Sequence, residues 1–175
     1  GPGLSLMQEI ISCAIMMEIP MVIAAVQRLG PGMGSATSPA QMEMMQVRWG
    51  SHGGIPSIIA LAPWTVQETF SLTVRAFNLS ERFRVPVFVL SDAVLSHMRE
   101  KVALPSRDEL ELVDRRRPTG PFEEYECFKP DENGVPLVAD FGSGYRLHYN
   151  SSVHDFQAKN RQKALLAAIL GGAAG

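Results

Sequence analysis

The 175 residues leave room for one domain and an extension, and 46% hydrophobic with 19% charged content is that of an ordinary globular chain. A net charge of −2 gives no electrostatic footprint for nucleic acid or an acidic membrane surface. Cys13 and Cys127, far apart and outside any CxxC, cannot supply the four thiolates of an iron–sulfur cluster or a structural zinc site, and their scarcity points to a reducing cytoplasm.

Ser5-Leu-Met-Gln8 has capping-box spacing, and the mostly apolar run Leu6 to Ile19 predicts a helix stopped by Pro20. Glu18 and Pro20 interrupt the best apolar region, Ile10 to Val26, so it falls short of the roughly 18–20 apolar residues a membrane span needs. The opening Gly1-Pro-Gly3 lacks an initiating Met or a basic n-region, so no signal peptide is expected and the chain reads as cut from a longer polypeptide. Met21–Val26 predicts a fully buried strand, and residues 27–40, rich in Gly, Pro and small polar residues, predict a long ligand-binding loop. Ala40 to Trp49 suits a short helix with Met42 and Met45 on one face. Eight of the nine methionines precede residue 46, which suggests soft filler in an irregular core rather than a cofactor box.

Ser57–Ala62 predicts a second strand. Thr65-Val-Gln-Glu68 is a capping box opening a helix to about Phe83, with Val66, Phe70, Val74 and Phe77 facing the sheet. Val85–Leu90 predicts a third strand, with Ser91 or Asp92 capping a helix to about Lys101. Apolar strands alternating with helices imply an α/β fold, a three-layer parallel sheet with helices on both faces. Residues 1–103 form this domain. Residues 104–140, with five prolines and the run Asp114-Arg-Arg-Arg117, predict an extended linker, and 141–175 the start of a following domain or a frayed tail.

The strand Met21–Val26 delivers Arg28 to the carboxyl-end rim, where open α/β sheets bind ligands. An arginine fork beside the Thr37 hydroxyl suits a small carboxylate. Gly30, Gly32 and Gly34 give the loop its freedom, and Gly1 and Gly3 flank a helix N-terminus able to attract an anion. The loop fails the dinucleotide fingerprint, because Ser35 stands where the third glycine belongs. His97 and Glu100 have metal-ligand spacing, but two ligands make no site and a solvated face is the simpler reading. His52 sits in a glycine-rich turn, and His148 and His154 carry no motif. No hydrolase elbow, zinc-protease motif or Walker loop is present.

Several stretches together resemble the alpha subunit of 2-oxoacid:ferredoxin oxidoreductases, especially the 2-oxoglutarate type. They are Gly1-Pro-Gly-Leu-Ser-Leu-Met-Gln-Glu9, Val26-Gln-Arg28, Arg48-Trp-Gly-Ser-His-Gly53, Val66-Gln-Glu-Thr-Phe70, Arg75-Ala-Phe-Asn-Leu79, Val87-Phe-Val-Leu-Ser-Asp92, Ser106-Arg-Asp-Glu-Leu-Glu-Leu-Val-Asp114 and Ala139-Asp-Phe-Gly-Ser-Gly-Tyr-Arg146. The resemblance implies the later part of a pyrimidine-binding domain for thiamine diphosphate, in an enzyme that decarboxylates a 2-oxoacid, reduces ferredoxin and transfers the acyl group to coenzyme A. It implies that Arg28 and Thr37 bind the substrate carboxylate, and that the diphosphate, magnesium and iron–sulfur cluster belong to a partner beta subunit. The activating glutamate is expected upstream of Gly1, so no catalytic acid and no metal ligand is expected within this chain, which should be inactive alone. The family loop has a Ser-Thr pair where Gly32-Met33 stands, and an aspartate where Gly54 stands. Two other readings stay open: a non-catalytic fragment docking on a beta-type subunit, and a relative using pyruvate or branched-chain 2-oxoacids.

Overall fold

The computed structural model describes residues 1–53 and 58–151. The chain divides into two compact units, one from Gly1 to Asp114 and one from Arg115 onward. The first contains, in order, α1 (Pro2–Met16), β1 (Met21–Leu29), β2 (Ser35–Pro39), α2 (Met44–Trp49), β3 (Ile59–Leu61), α3 (Val66–Phe83), β4 (Pro86–Asp92) and α4 (Ala93–His97). Among the described residues the sheet has four strands in the order β2-β1-β4-β3. β1 and β3 both run parallel to β4, with Met21 beside Pro86 and Gln27 beside Asp92.

The two-residue period of β4 sorts its side chains onto two faces. Phe88 and Leu90 join Leu4, Ile11, Ile23 and Val47 under α1 and α2. Val87 and Val89 join Ala76, Val22 and Leu79 under α3. Helices therefore cover both faces, as the strand and helix pattern predicts. Each fully buried side chain such as Phe88 contributes about 1.5–3 kcal/mol by area.

Several expectations change in detail. α1 starts at Pro2 rather than Leu6, because Gly1 is its N-cap and Pro2 suits the first helical turn. Ser5 lies inside the helix, its hydroxyl donating to the Gly1 carbonyl at 3.4 Å. β1 is not fully buried: Ala24 and Val26 are exposed, since β2 pairs only with Arg28 and Leu29 and leaves the outer edge before them without a strand among the described residues. The loop expected over 27–40 is an antiparallel hairpin, β1 continuing to Leu29 and β2 returning over Ser35–Pro39 with a bulge at Arg28/Leu29. The methionines serve as core filler only in part: Met21 packs against the cluster under α1. Met44 and Met45 are exposed because the short α2 turns only Val47 inward, and Met33 at the hairpin tip and Met42 before α2 are exposed as well.

On α3 the Thr65 hydroxyl accepts from Glu68 N–H at 3.0 Å, as expected of its cap. The Glu68 carboxylate, however, takes the N–H of Trp64. Phe77 faces outward, and the small residues Ala76 and Ser80 meet the core, letting the helix sit close to the sheet. α4 ends at His97 rather than Lys101, and Glu100 instead accepts the Val66 N–H at the start of α3. His97 and Glu100 therefore share no helix face. Ser57, placed at the start of the second strand, lies outside the described residues.

Residues 102–114 run as a strap along α3, held by two amides. The Gln67 side chain both donates to and accepts from the backbone of Ala103. Asn78 donates to the Glu111 carbonyl at 2.6 Å and accepts from Val113 N–H at 2.9 Å. The second unit has its own small cluster, Cys127 and Phe128 with Tyr125 and Tyr149. There the Tyr125 hydroxyl donates to the Leu137 carbonyl, and Arg115 and Arg117 pair with Asp140. No helix among the described residues is long and apolar enough to cross a membrane.

Candidate functional site

β1 carries the chain to the sheet rim and ends it on Gln27, Arg28 and Leu29. Beside it, parallel β4 ends on Asp92, opposite Gln27. The Asp92 carboxylate caps α4 by accepting the Leu95 N–H at 2.9 Å and takes a second bond from the Gln41 amide at 3.0 Å. These two bonds, the Leu95 one first, hold its carboxyl below the ordinary carboxylate value.

Arg28 lies half-buried within the site. One terminal nitrogen of its guanidinium donates to the Met33 carbonyl at 2.8 Å, so the hairpin tip bonds back to the arginine. The edge formed by Nε and the other terminal nitrogen lies against Gly1: a Cβ built there would come within 2.8 Å of Nε and 2.9 Å of Nη2. Gly1 thus vacates the space the guanidinium occupies. Arg28 opens onto a cavity of about 490 Å³ that Gly1, Gly3, Leu4, Ile23 and Val26 also line. A larger groove of about 680 Å³ lies between the start of α1, the hairpin and α2, walled by Leu6, Gly30, Gly32, Met33 and Met42.

Glu43 borders both spaces and is only 5% exposed. One carboxylate oxygen accepts the Arg28 backbone N–H at 3.2 Å, and the other pairs with the terminal ammonium of Gly1 at 2.7 Å. A buried carboxylate needs such partners. Through them it ties the starts of α1 and α2 to the end of β1. Gln27, also buried, has a side-chain oxygen with no hydrogen-bond partner among the described residues.

The structure thus gathers Arg28, Gly1 and Gly3 around one cavity and sets Gly30 and Gly32 in the wall of the other. Gly34, at φ +50°, turns the hairpin. Thr37 stands exposed on β2 and lines neither space. His52 is exposed, 3.7 Å from the exposed Glu9. The His148 N–H donates to the Cys127 thiol sulfur, and His154 lies outside the described residues. Among the described residues no three His, Cys, Asp or Glu side chains gather as a metal site. Sequence reasoning missed Glu43 and Gln27. One signal was available for Glu43, which is the sole ionisable side chain between Arg28 and Arg48.

The family model described as pyruvate flavodoxin/ferredoxin oxidoreductase, thiamine diphosphate-binding, matches residues 1–165. The chain belongs to this family. It is 50% identical over 155 residues to the 2-oxoglutarate synthase subunit KorA of Methanothermobacter thermautotrophicus, a match covering 89% of this chain and 40% of that subunit. It is 46% identical over 108 residues to the ketoisovalerate oxidoreductase subunit VorB of Methanothermobacter marburgensis, across 61% of this chain and 30% of that one. Among solved structures it resembles a 2-oxoglutarate:ferredoxin oxidoreductase from Magnetococcus marinus with 2-oxoglutarate, coenzyme A and succinyl-CoA bound, at a TM-score of 0.80 and 27% identity, covering 95% of this chain and 30% of that chain. The chain therefore spans about two fifths of the length of these KorA relatives.

Proposed function

We propose that this chain is the substrate-carboxylate portion of a 2-oxoglutarate:ferredoxin oxidoreductase. The enzyme would convert a 2-oxoacid and coenzyme A to acyl-CoA and carbon dioxide, passing two electrons to ferredoxin and releasing a proton. The observation that carries this reading is Arg28 at the carboxyl end of a parallel strand, its guanidinium beside side-chain-free Gly1 and the residue lining a cavity. A charge-assisted, two-pronged hydrogen bond from an arginine is roughly twice as strong as a neutral one and fits the planar carboxylate. It also fixes the acid so that its scissile bond is held in one orientation.

Thiamine diphosphate, when bound, would supply the carbanion stabilisation that 2-oxoacid decarboxylation needs. The residues here fit one side of such a group: an apolar wall from Leu4 and Ile23 in the cavity, and at the end of the same strand the buried Gln27 oxygen, which has no hydrogen-bond partner among the described residues. We assign the diphosphate, its magnesium and the iron–sulfur cluster to a partner beta subunit. In this reading Arg28 binds the carboxylate, Gly30, Gly32 and Gly34 shape the loop, and Thr37, exposed on β2 outside both spaces, would donate a further hydrogen bond to an acid that reaches beyond them. The complex would work in the cytoplasm, with ferredoxin and coenzyme A meeting it through the assembled subunits. The ketoisovalerate relatives favour a branched-chain 2-oxoacid as the second reading.

The test uses the full-length alpha subunit assembled with its beta subunit and assayed by viologen reduction with 2-oxoglutarate, pyruvate and 2-oxoisovalerate in turn. Arg28→Ala should lower kcat/KM about 100-fold or more, the loss expected for a charged clamp on a reacting acid, and Thr37→Ala about 10-fold. Unchanged kinetics with weaker assembly would instead make this face a docking surface. The substrate with the highest kcat/KM decides the acyl chain.

A further inference from the structure

We infer that the groove between α3 and the strap is an interface between two copies of this chain, and that it receives the exposed turn Phe122-Glu123-Glu124 of the second copy. The groove, about 510 Å³, is lined by the half-buried Phe70, Val74, Leu79 and Leu110. Arg75 and Arg82 line it too, and both are exposed. Seven residues apart, they stand two turns and about 10.5 Å from each other along one face of α3. Among the described residues neither guanidinium has a carboxylate partner, and Arg82 lies over its neighbour Phe83, 5.5 Å from the ring centre. Two arginines so far apart do not close on one small carboxylate. With the apolar lining between them they suit an apolar anchor that carries two acids. The strap contributes one acid to the groove, Glu111, so its charge stays positive.

The chain carries such a segment once. Only at 122–124 is an aromatic residue followed by two acids. These residues form a 3-10 turn in which all three are exposed, Phe122 by 53%. Successive side chains of such a turn point about 120° apart, so the two carboxylates splay toward separate partners. Neither Glu123 nor Glu124 has an ion pair among the described residues. The Phe122 ring stands edge-on to Tyr145 with centroids 4.7 Å apart, and a Cβ built on Gly144 would come within 3.1 Å of it. The anchor is therefore held in place before a partner arrives, which lowers the entropy cost of binding. Burying the ring supplies the apolar contact, and the acids meet Arg75 and Arg82. Each copy has both a groove and a turn, so a two-fold axis makes the contact twice. Exposed charge pairs of this kind select partner and orientation, and salt weakens them.

The experiment counts copies of this chain in the full-length complex by sedimentation velocity over a dilution series. The unmodified complex should hold two copies and separate more readily as salt rises from about 0.05 M to about 0.5 M. Arg75→Glu with Arg82→Glu, or Glu123→Arg with Glu124→Arg, should each raise the Kd between copies about 100-fold or more. All four positions are exposed, so thermal unfolding should stay within about 2 °C of the native protein. Mixing the two double variants is the decisive arm. The altered groove of one then faces the altered turn of the other with charges matched, and the native groove faces the native turn. Their mixed dimer should return to within about 5-fold of the native Kd. A complex with a single copy at every concentration would overturn the inference. So would a dimer that charge reversal leaves unchanged. Weakening that mixing does not repair would overturn it as well, placing the groove or the turn against a different surface.

Discussion

Gly34 passes so close to Leu29 that a Cβ built on it would sit 2.0 Å from the Leu29 carbonyl oxygen, and its φ of +50° already favours glycine. The obstacle is backbone, which cannot swing aside as a side chain would. Gly34→Ala should therefore open the β1–β2 hairpin at a cost of about 1–3 kcal/mol. The Met33 carbonyl that accepts from Arg28 is part of this tip. Hydrogen exchange on the assembled protein should show faster exchange through residues 29–35, with α3 and β4 unaffected. Undiminished protection there would mean the hairpin tolerates another path.

Gly1→Ala should behave in the opposite manner. The atoms a methyl group would meet are the end of a flexible side chain, so the arginine can move and the fold is spared. Thermal stability of the full subunit should change by less than about 2 °C, while KM for the 2-oxoacid rises about 5-fold or more. A drop in stability without a change in KM would show that the Gly1 surface supports packing rather than the guanidinium.

Which features the sequence reveals follows from the range of the interactions that make them. Met21–Val26 and Val85–Leu90 read as parallel strands because their apolar runs serve faces covered by helices, and the structure pairs them. Thr65 reads as a cap because its partner, Glu68 N–H, is three residues away. β2 does not read as a strand, since Ser35–Pro39 has no apolar alternation and pairs at only two positions. The core face of α3 is misread because bulk marks a core residue only where the helix has room: Phe77 lies outside while Ala76 and Ser80 lie inside. Arg28 is legible as a rim arginine from the strand before it. Glu43 is not, because its partners are 15 and 42 residues distant and are backbone groups with no sequence signature.

The acid limb of stability should carry a contribution from Asp92. Its folded carboxyl titrates below the ordinary value of 3.8, the Leu95 N–H and then the Gln41 amide favouring the charged form. Stability from this group is complete above about pH 4, the unfolded value, and is lost as pH falls through the lower folded value. Asp92→Asn keeps a capping oxygen but cannot titrate. Thermal unfolding from about pH 7 down to about pH 3 should show the native protein's advantage over Asp92→Asn constant at first and shrinking below about pH 4. A difference independent of pH would show that the cap, and not the charge, is what matters at this position.

Asn78 holds the strap over residues 102–114 by two bonds to its backbone, one given and one received. Asn78→Ala removes both and leaves the Val113 N–H and the Glu111 carbonyl to water, about 1–2 kcal/mol of local stability. Arg107 lies in an exposed helical turn of the same strap. Limited trypsin digestion should therefore cut after Arg107 roughly 5–30-fold faster in the variant, since cleavage follows the population of the opened strap. Asn78→Asp should fall between, because it keeps the acceptor for Val113 and loses the donor to Glu111. Identical digestion of all three proteins would assign the strap's hold to Gln67 alone.

Arg84 is the largest test of the packing. It is 2% exposed and stands at the C-cap of α3 with φ 53°, a left-handed conformation that costs a non-glycine residue about 1 kcal/mol. Its Nε donates to the Glu18 carbonyl at 3.0 Å, and a terminal nitrogen lies 4.0 Å from the Glu18 carboxylate, just beyond the end of α1. The side chain thus ties the ends of two helices lying on opposite faces of the sheet. Arg84→Ala removes the donor and leaves a void, and should cost about 3–5 kcal/mol. Arg84→Lys keeps the charge with a different donor geometry and should cost less. Arg84→Gly is the decisive variant, because it relieves the backbone while removing the side chain. If the tie between the helices is what matters, denaturant unfolding of the full subunit should rank glycine near alanine and far below the native protein. A glycine variant as stable as the native one would show that the position asks only for a left-handed backbone.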